Sequence, residues 1–468
     1  MNAPLPAVLR KAHAERRAQL RASIAGPVLL MGNTTVSRNI PMNHLPFRQD
    51  STFLYFTGCL EPGAALLLDG DEETLFLTPP APDDALWHGH VTPIEEVAAG
   101  LGIATVRPLD ELETACEALS ARPKTLAVSA PAACARAAAL SGRNLRFGRE
   151  HGAPDLVDVV IRMRRQLAPI ELDQMRAAAA VTAAAHQAAM GATVAGRYER
   201  EVGAIFDGVI AAGGMVPAYD SIVTVRGEVL HNHSRHNLLR DGQLLLLDGG
   251  AEAPTGYATD VTRTWPVSGR FNERQRDVYE AVLESQKQAI ARCTVGTRYR
   301  EVHLTASRVL AQFLIDVGLL HDTTAEDAVA RGAHALFFPH GVGHLLGLDV
   351  HDLENFGDLP AYPPGRERSS QFGLGYLRLD RELAPGNVVT VEPGFYVVPA
   401  ILSDASLSDH IRDIVDLERA YEWIGFGGIR IEDDIHITPA GPENLTAAIP
   451  KAVADVEALV GAAVAAQS

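Results

Sequence analysis

The chain has 468 residues, an apolar fraction of 47% and a formal net charge of −17 at neutral pH. That length suits two domains with sizeable cores, and the acidic balance argues against a nucleic-acid footprint, which needs a basic stripe. No apolar run reaches membrane-spanning length, and the N-terminal stretch carries Arg and Lys without the continuous hydrophobic segment of a signal peptide. In chain order, residues up to about 165 mix short apolar strands, at Leu29 and at Leu75, with helical stretches rich in Ala and Glu. This predicts an α/β N-terminal domain. Pro169 then opens a helix with Glu171 and Asp173 in its first turn, where proline and acids are favoured. The boundary therefore falls near Gln166, dividing the chain into domains 1–165 and 166–468.

The second domain opens with helices over 170–190 and 198–212. A strand of four leucines, Leu244, Leu245, Leu246 and Leu247, then ends in Asp248, and Gly249 and Gly250 allow a turn or a close approach. A second strand is expected over 257–266, with Asp260, Thr262 and Thr264 on one face at period two. The two strands read as a hairpin that presents Asp248 and Asp260 side by side. Helices around 278–291 and 302–317 carry apolar residues at helical spacing and cover the core. His340, His344 and His351 follow in FPHGVGHLLGLDVHD. The proline-rich loop 357–383 has a length that is usually functional or disordered. Glu392 follows Val388, Val389, Thr390 and Val391, and Glu432 follows Ile429 and Ile431, two residues after Arg430 on the same face. The Ala-rich stretch 453–466 is short and holds Asp455 and Glu457, so it reads as a terminal helix rather than a span. No internal repeat stands out.

A single acid at a strand end is usually a turn former or a solvated edge residue, and a single histidine is usually a hydrogen-bonded core residue. Asp248, Asp260, His344, Glu392 and Glu432 differ as a set, because each sits where a buried strand meets a polar centre. An unpaired charge there is costly. Four carboxylates and one imidazole converge only if cations lie between them, and two divalent ions balance four negative charges. Hard oxygen donors with one imidazole suit Mn(II), Co(II), Zn(II) or Fe(II), with manganese favoured where carboxylates dominate. Two such ions polarise a carbonyl, generate hydroxide near neutral pH and stabilise a tetrahedral oxyanion. That is hydrolase chemistry.

The segments LLLLDGGAEAPTGYATDVTRTWPVSGRF, FFPHGVGHLLGLDVHD, VVTVEPGFY and GFGGIRIEDDIHIT, in this order, resemble the signatures of the proline-specific pita-bread metallopeptidases, which include aminopeptidase P and prolidase. FRQDSTFLYFTGCLEPGA is similar to the N-terminal domain of the same branch. The resemblance implies an α/β two-domain fold, creatinase-like in its N-terminal domain and pita-bread in its catalytic domain. It implies two divalent metal ions per subunit and a homodimer or homotetramer whose N-terminal domain contributes contacts and limits access to the pocket. It further implies that Asp248 and Glu432 bridge both metals, that Asp260 completes one site, and that His344 and Glu392 complete the other. Glu392 would also take the proton of the attacking water and pass it to the leaving nitrogen. His231, His340 and His351 would shape the proline pocket and stabilise the tetrahedral intermediate, a task imidazoles near a metal suit on general grounds. The loop around His231, HNHSRH, is polar enough to be simply solvated. Arg430 would orient carboxylates or meet substrate. The loop from Asp248 to Asp260 is one residue longer than the family pattern, which bears on the loop and not on the ligands.

Two signals concern the substrate. Arg378, in LGYLRLDRELAPG, resembles the arginine with which prolidases hold the C-terminal carboxylate of a dipeptide, and a guanidinium is a natural bidentate reader of that group. The N-terminal block and DVTRTWPVSG resemble aminopeptidase P instead, which removes the first residue from longer peptides with proline in second position. The expected activity is that of an Xaa-Pro aminopeptidase, with Xaa-Pro dipeptidase as the alternative. A non-catalytic pita-bread binding protein, or a metal-free creatine hydrolase, would carry substitutions among the five ligand positions, and none is substituted. A methionine aminopeptidase typically lacks the long N-terminal domain and the GFGGIRIEDD context. Cys59, Cys116, Cys134 and Cys293 lack CxxC spacing and read as core thiols of a reducing compartment. Cytoplasm is the expected location, and neither nucleic acid nor membrane is an expected partner.

Overall fold

The structure, a computed structural model, describes residues 5–465 and divides into two compact units. One runs to Arg165 and takes in Leu353–Pro360; the other holds Gln166–Asp352 and the chain from Ala361 onward. The first unit is built on a sheet of β1 (Val28–Met31), β2 (Ala65–Asp69), β3 (Glu72–Leu77) and β4 (Thr105–Pro108), in that order, antiparallel except for the final pair. Leu29, Leu67 and Phe76 point from it into a core shared with Cys116, Cys134 and Ala137. Arg17, fully buried on helix Ala7–Ser23, pairs with Glu73 at 2.8 Å and donates to the Phe56 carbonyl at 3.0 Å, satisfying the end of helix Ser51–Thr57. All four cysteines are free and buried. Burial pushes the Cys59 and Cys293 thiols up to about 12 and Cys116 to about 11, so they act as small apolar residues.

The second unit holds β5 (Val216–Pro217), β6 (Ile222–Thr224), β7 (Leu244–Asp248), β8 (Ala251–Glu252), β9 (Thr262–Pro266), β10 (Val388–Val391), β11 (Gly394–Tyr396), β12 (Gly428–Arg430), β13 (Asp433–Thr438) and β14 (Gly441–Asn444). They form two antiparallel three-stranded sheets, β6-β7-β9 and β10-β13-β14, and two ribbons, β5-β8 and β11-β12. Helices Pro169–Gly191 and Glu199–Ala212 form one packed pair, and Glu273–Ala291 and Tyr299–Asp316 form another. Each pair is joined by a similar turn, TVAGRYEREV from Thr193 and TVGTRYREV from Thr294. In both, a glycine at positive φ donates from its N–H to a leucine carbonyl, Gly196 to Leu239 and Gly296 to Leu383. After β5 and β6 the chain enters β7 in one half, and in the other it enters β10, so Asp248 at the end of β7 and Glu392 directly after β10 occupy similar positions. The structure therefore shows an internal repeat of which the sequence displays only these two short turns.

The leucines of β7 are all buried, and Trp265 of β9, opposite Leu245, is fully buried with its indole N–H on Thr193 Oγ1 at 2.9 Å. The expected second strand over 257–266 is shorter: Ala258 forms an isolated bridge with Glu252, and the ladder with β7 begins only at Thr262. The cause lies at Gly250, where a Cβ would stand 1.9 Å from the Thr259 carbonyl oxygen. This close crossing of backbones breaks the ladder, and Asp260 leads into the strand instead of lying within it. The terminal helix spans Val453–Ala465, and residue 466 of the expected stretch lies outside the described residues. Among the described residues no helix is long and apolar enough to cross a membrane.

Candidate metal centre

The five acid and imidazole positions meet in the second unit. Asp248 ends β7, between Ile222 of β6 and Thr262 of β9. The Tyr219 hydroxyl lies 2.5 Å from Asp248 Oδ1 and also contacts Asp260 Oδ1, so one phenol proton serves both carboxylates. Glu392 follows β10, and its N–H donates to the Val342 carbonyl at 2.8 Å. His344 is strapped to the same strand: its N–H donates to Thr390 Oγ1 at 3.2 Å, and Leu345 bridges Val389. The His344 Nδ1–H donates to the Leu345 carbonyl at 2.9 Å, which turns Nε2 toward Asp260 Oδ2 at 3.3 Å and Glu392 Oε1 at 4.0 Å. Glu432 lies between β12 and β13 and accepts from Thr262 Oγ1 at 2.7 Å. The period-two threonines of β9 thus have a purpose: Thr264 Oγ1 also donates to the Arg430 carbonyl at 3.1 Å, so both hydroxyls fix the segment that carries Glu432.

Among the described residues three overlapping triads have donor atoms within 4.8 Å of one another: Asp248, Asp260 and Glu432; His344, Glu392 and Glu432; and Asp260, His344 and His351. Asp260, His344 and Glu432 each stand in two of them, and of these Asp260 and Glu432 are the carboxylates, which alone have two oxygens with which to bridge. By spacing alone, Asp260 is better placed than Asp248 for the shared position expected above. Asp248 stands at the end remote from His344, its Oδ2 held by Arg430 Nη2 at 2.5 Å, while Asp260 lies between Asp248 and His344.

Burial pushes the Glu392 carboxyl up to about 7, and burial with the neighbouring carboxylates raises Glu432 and Asp248 as well. Against the upward push of burial, the His344 imidazole holds Asp260 below the usual carboxylate range. Four acids at this spacing, two of them buried and two partly buried, cannot all ionise on their own. Divalent cations among them would remove that repulsion, so the donor set fits two such ions, with Asp248, Asp260 and Glu432 able to hold one and His344, Glu392 and Glu432 the other.

The remaining expected site residues stand around this cluster. Arg430, buried, donates to Asp248, to Thr262 Oγ1 at 2.9 Å and to the Tyr396 hydroxyl at 3.0 Å. Tyr396 in turn lies 2.9 Å from His340 Nε2, whose Nδ1–H donates to the Gly341 carbonyl at 2.8 Å. Burial, then the Arg430 charge, pushes His340 down to about 3, so it is a neutral acceptor for Tyr396. His351 stacks near His344, with ring centroids 4.0 Å apart, and its φ of 60° is in the left-handed region unusual for a side-chain-bearing residue. His231 lies in an exposed loop; partial burial and the Arg430 charge lower it. Arg378 is half-buried, and its charge reaches His231 and His340. Tyr219 and Tyr396 escaped the sequence reading. Tyr396 carried one signal, as the last letter of VVTVEPGFY; Tyr219 carried none.

The profile of metallopeptidase family M24 matches residues 173–439, and that of the aminopeptidase P N-terminal domain matches residues 13–127. The Xaa-Pro aminopeptidase of Escherichia coli is 34% identical over 434 residues, covering 89% of this chain and 90% of that protein. The probable Xaa-Pro aminopeptidase of Emericella nidulans is 31% identical, covering 96% and 97%. Among solved structures, the Pseudomonas aeruginosa aminopeptidase PepP superposes with a TM-score of 0.80 at 30% identity, covering 99% of each chain. A zinc-substituted E. coli aminopeptidase P in complex with product does so at 0.77 and 29%, covering 97% and 98%.

Proposed function

Given that the chain belongs to metallopeptidase family M24, we propose that it is a two-metal Xaa-Pro aminopeptidase, removing the first residue from peptides with proline in second position. The buried convergence of Asp248, Asp260, His344, Glu392 and Glu432 carries this reading. The relatives named Xaa-Pro aminopeptidase match it over nearly the whole chain, N-terminal domain included. Asp260 and Glu432 are proposed as the ligands shared by both ions, with Asp248 completing one site and His344 with Glu392 the other. Manganese is the proposed metal, from the dominance of carboxylate donors. When bound, the two ions supply Lewis acidity toward the carbonyl before proline and an activated water.

The chain's own groups do the rest. Glu392, raised by its desolvated setting, is suited to take a proton and return it to the proline nitrogen. His351, half-buried against His344, stands where it can donate to a developing oxyanion. His340, held neutral, and His231 border the substrate space. Arg430 keeps Asp248 aimed inward by holding its outer oxygen. The proposed working form is a cytoplasmic homodimer or homotetramer.

Dipeptidase activity is the alternative, favoured by one observation: Arg378 is near enough to perturb His340 and His231. A length series separates the two. The aminopeptidase reading expects Xaa-Pro-Xaa and longer peptides to be cleaved, and Arg378→Ala to leave their turnover largely intact. Cleavage confined to Xaa-Pro dipeptides and abolished by Arg378→Ala would overturn it in favour of the dipeptidase.

A further inference from the structure

Behind the acidic cluster lies a second group of buried charges that supplies no ligand. Arg263, fully buried in β9, has all five of its N–H donors occupied. Nε donates to the Pro450 carbonyl at 3.1 Å. Nη1 donates to the carbonyls of Thr262 at 3.0 Å and Glu432 at 2.5 Å. Nη2 donates to Asp433 Oδ1 at 2.7 Å and to the Ile449 carbonyl at 3.1 Å. Asp433, itself fully buried, also accepts from Thr446 Oγ1 at 2.9 Å, from Gln286 Nε2 at 3.0 Å and from Lys451 Nζ. Lys451 donates as well to Gln286 Oε1 at 2.7 Å, and Gln286 Nε2 reaches the Val391 carbonyl at 3.4 Å.

The backbone atoms this network touches are not scattered. Besides the Ile449 and Pro450 carbonyls, they belong to Thr262, two residues after Asp260, to Glu432 itself, and to Val391, directly before Glu392. The side chains of those three acids point to the cluster, and their backbones are held from behind by one ionic hub. We infer that Asp433, with Arg263, Gln286 and Lys451, is a positioning device that sets the separation of Glu392 from Glu432 and Asp260, and with it the metal affinity of the centre. The inference rests on the two-metal reading of the site.

Physical economy favours a geometric role. Apolar side chains of similar volume hold a core as well as, or better than, buried charges. What they lack is direction, and a metal site tolerates ligand displacements of only about 0.2 Å. A saturated guanidinium that binds two carbonyls on the ligand-bearing segments fixes those segments in a way that packing does not. The hub also ties the centre to residues 446–451, outside the ligand-bearing strands, through Thr446, Ile449, Pro450 and Lys451.

The test uses full-length protein stripped of metal and titrated with Mn²⁺, following binding stoichiometry, affinity and the electron paramagnetic resonance of the ion pair. Lys451→Met and Gln286→Met each remove hub donors while leaving the Arg263–Asp433 pair intact. Leu310→Ala, a truncation in the core helix Tyr299–Asp316, serves as a control for general loosening. Loss of a partner behind a ligand typically weakens metal binding about 10- to 100-fold, and that loss with an altered spin-coupled spectrum is expected for both hub variants, the control keeping wild-type affinity and spectrum. Wild-type binding and spectra in both hub variants would overturn the inference alone, as would an equal loss in Leu310→Ala. A wild type that binds no divalent ion would overturn the reading of the site and this inference with it.

Discussion

At the residue scale, the chemistry is divided between groups that face the cluster and groups that hold them there. Glu392→Gln keeps the shape of the side chain and removes its capacity to carry a proton. Turnover of an Xaa-Pro peptide is expected to fall by about 10²- to 10⁴-fold, the usual worth of a positioned acid or base, in protein that still folds; normal turnover with both ions bound would contradict the role. Arg430→Lys tests the holding group. A lysine cannot serve Asp248, Thr262 and Tyr396 at once, so Mn²⁺ affinity measured by titration is expected to weaken about 10- to 100-fold. The acids and His344 were legible because each ends or edges an apolar run. Tyr219 and Tyr396 were not, since their value comes from neighbours brought in by the fold: Tyr219 reaches Asp260 across 41 positions of sequence. Which of Asp248 and Asp260 stands nearer His344 depends on a backbone crossing that strand patterning does not encode.

At the scale of elements, the centre arises from a duplicated plan. Each half of the catalytic unit offers a helix pair, a glycine turn, a buried strand ending in or followed by an acid, and a second acid just ahead of the strand that pairs with the first: Asp248 and Asp260 in one half, Glu392 and Glu432 in the other. The repeat was hidden because little identity survives outside the turns TVAGRYEREV and TVGTRYREV, whose glycines need positive φ. Helices were readable from their caps and periodicity; Pro169 opens one helix, and Asn272 caps another five or so residues ahead of the expected start. The strand that carries Asp260 was overextended because apolar alternation continues through the crossing at Gly250. Gly250→Ala places a methyl against the Thr259 carbonyl. Overpacking of this kind costs about 1–3 kcal/mol, so urea unfolding of the variant should show at least that loss together with weakened metal binding from a displaced Asp260. A neutral effect on both would show that the close approach is not needed.

At the scale of the whole molecule, stability is tied to pH through buried histidines that are not among the proposed ligands. Burial pushes His186 down to about 3 and His334 to about 4, and holds His303 well below its ordinary value of 6.5. The unfolded chain binds protons at these positions below pH 6.5 while the folded chain does not, so stability is full above that value and falls as pH drops toward 4. Each histidine contributes at most about 2 kcal/mol of loss at pH 5. In metal-free protein the raised Glu392, Glu432 and Asp248 carboxyls act in the opposite sense, so the histidine effect is read as a difference: by denaturant unfolding, the stability change from pH 7 to pH 5 should be less unfavourable in His334→Gln than in wild type, and the same change in both would contradict the burial described. The two-unit organisation was foreseeable from length and from the proline that opens helix Pro169–Gly191. The return of Leu353–Pro360 to the first unit was not, because a short excursion leaves no trace in composition.

The central claim is that Asp248, Asp260, His344, Glu392 and Glu432 jointly grip two cations. Anomalous diffraction at the manganese absorption edge, from crystals grown with excess Mn²⁺, tests it most directly. Two peaks are expected, one within reach of Asp248, Asp260 and Glu432 and the other of His344, Glu392 and Glu432. A map with no peak among these side chains, or with manganese bound elsewhere on the chain, would contradict the account.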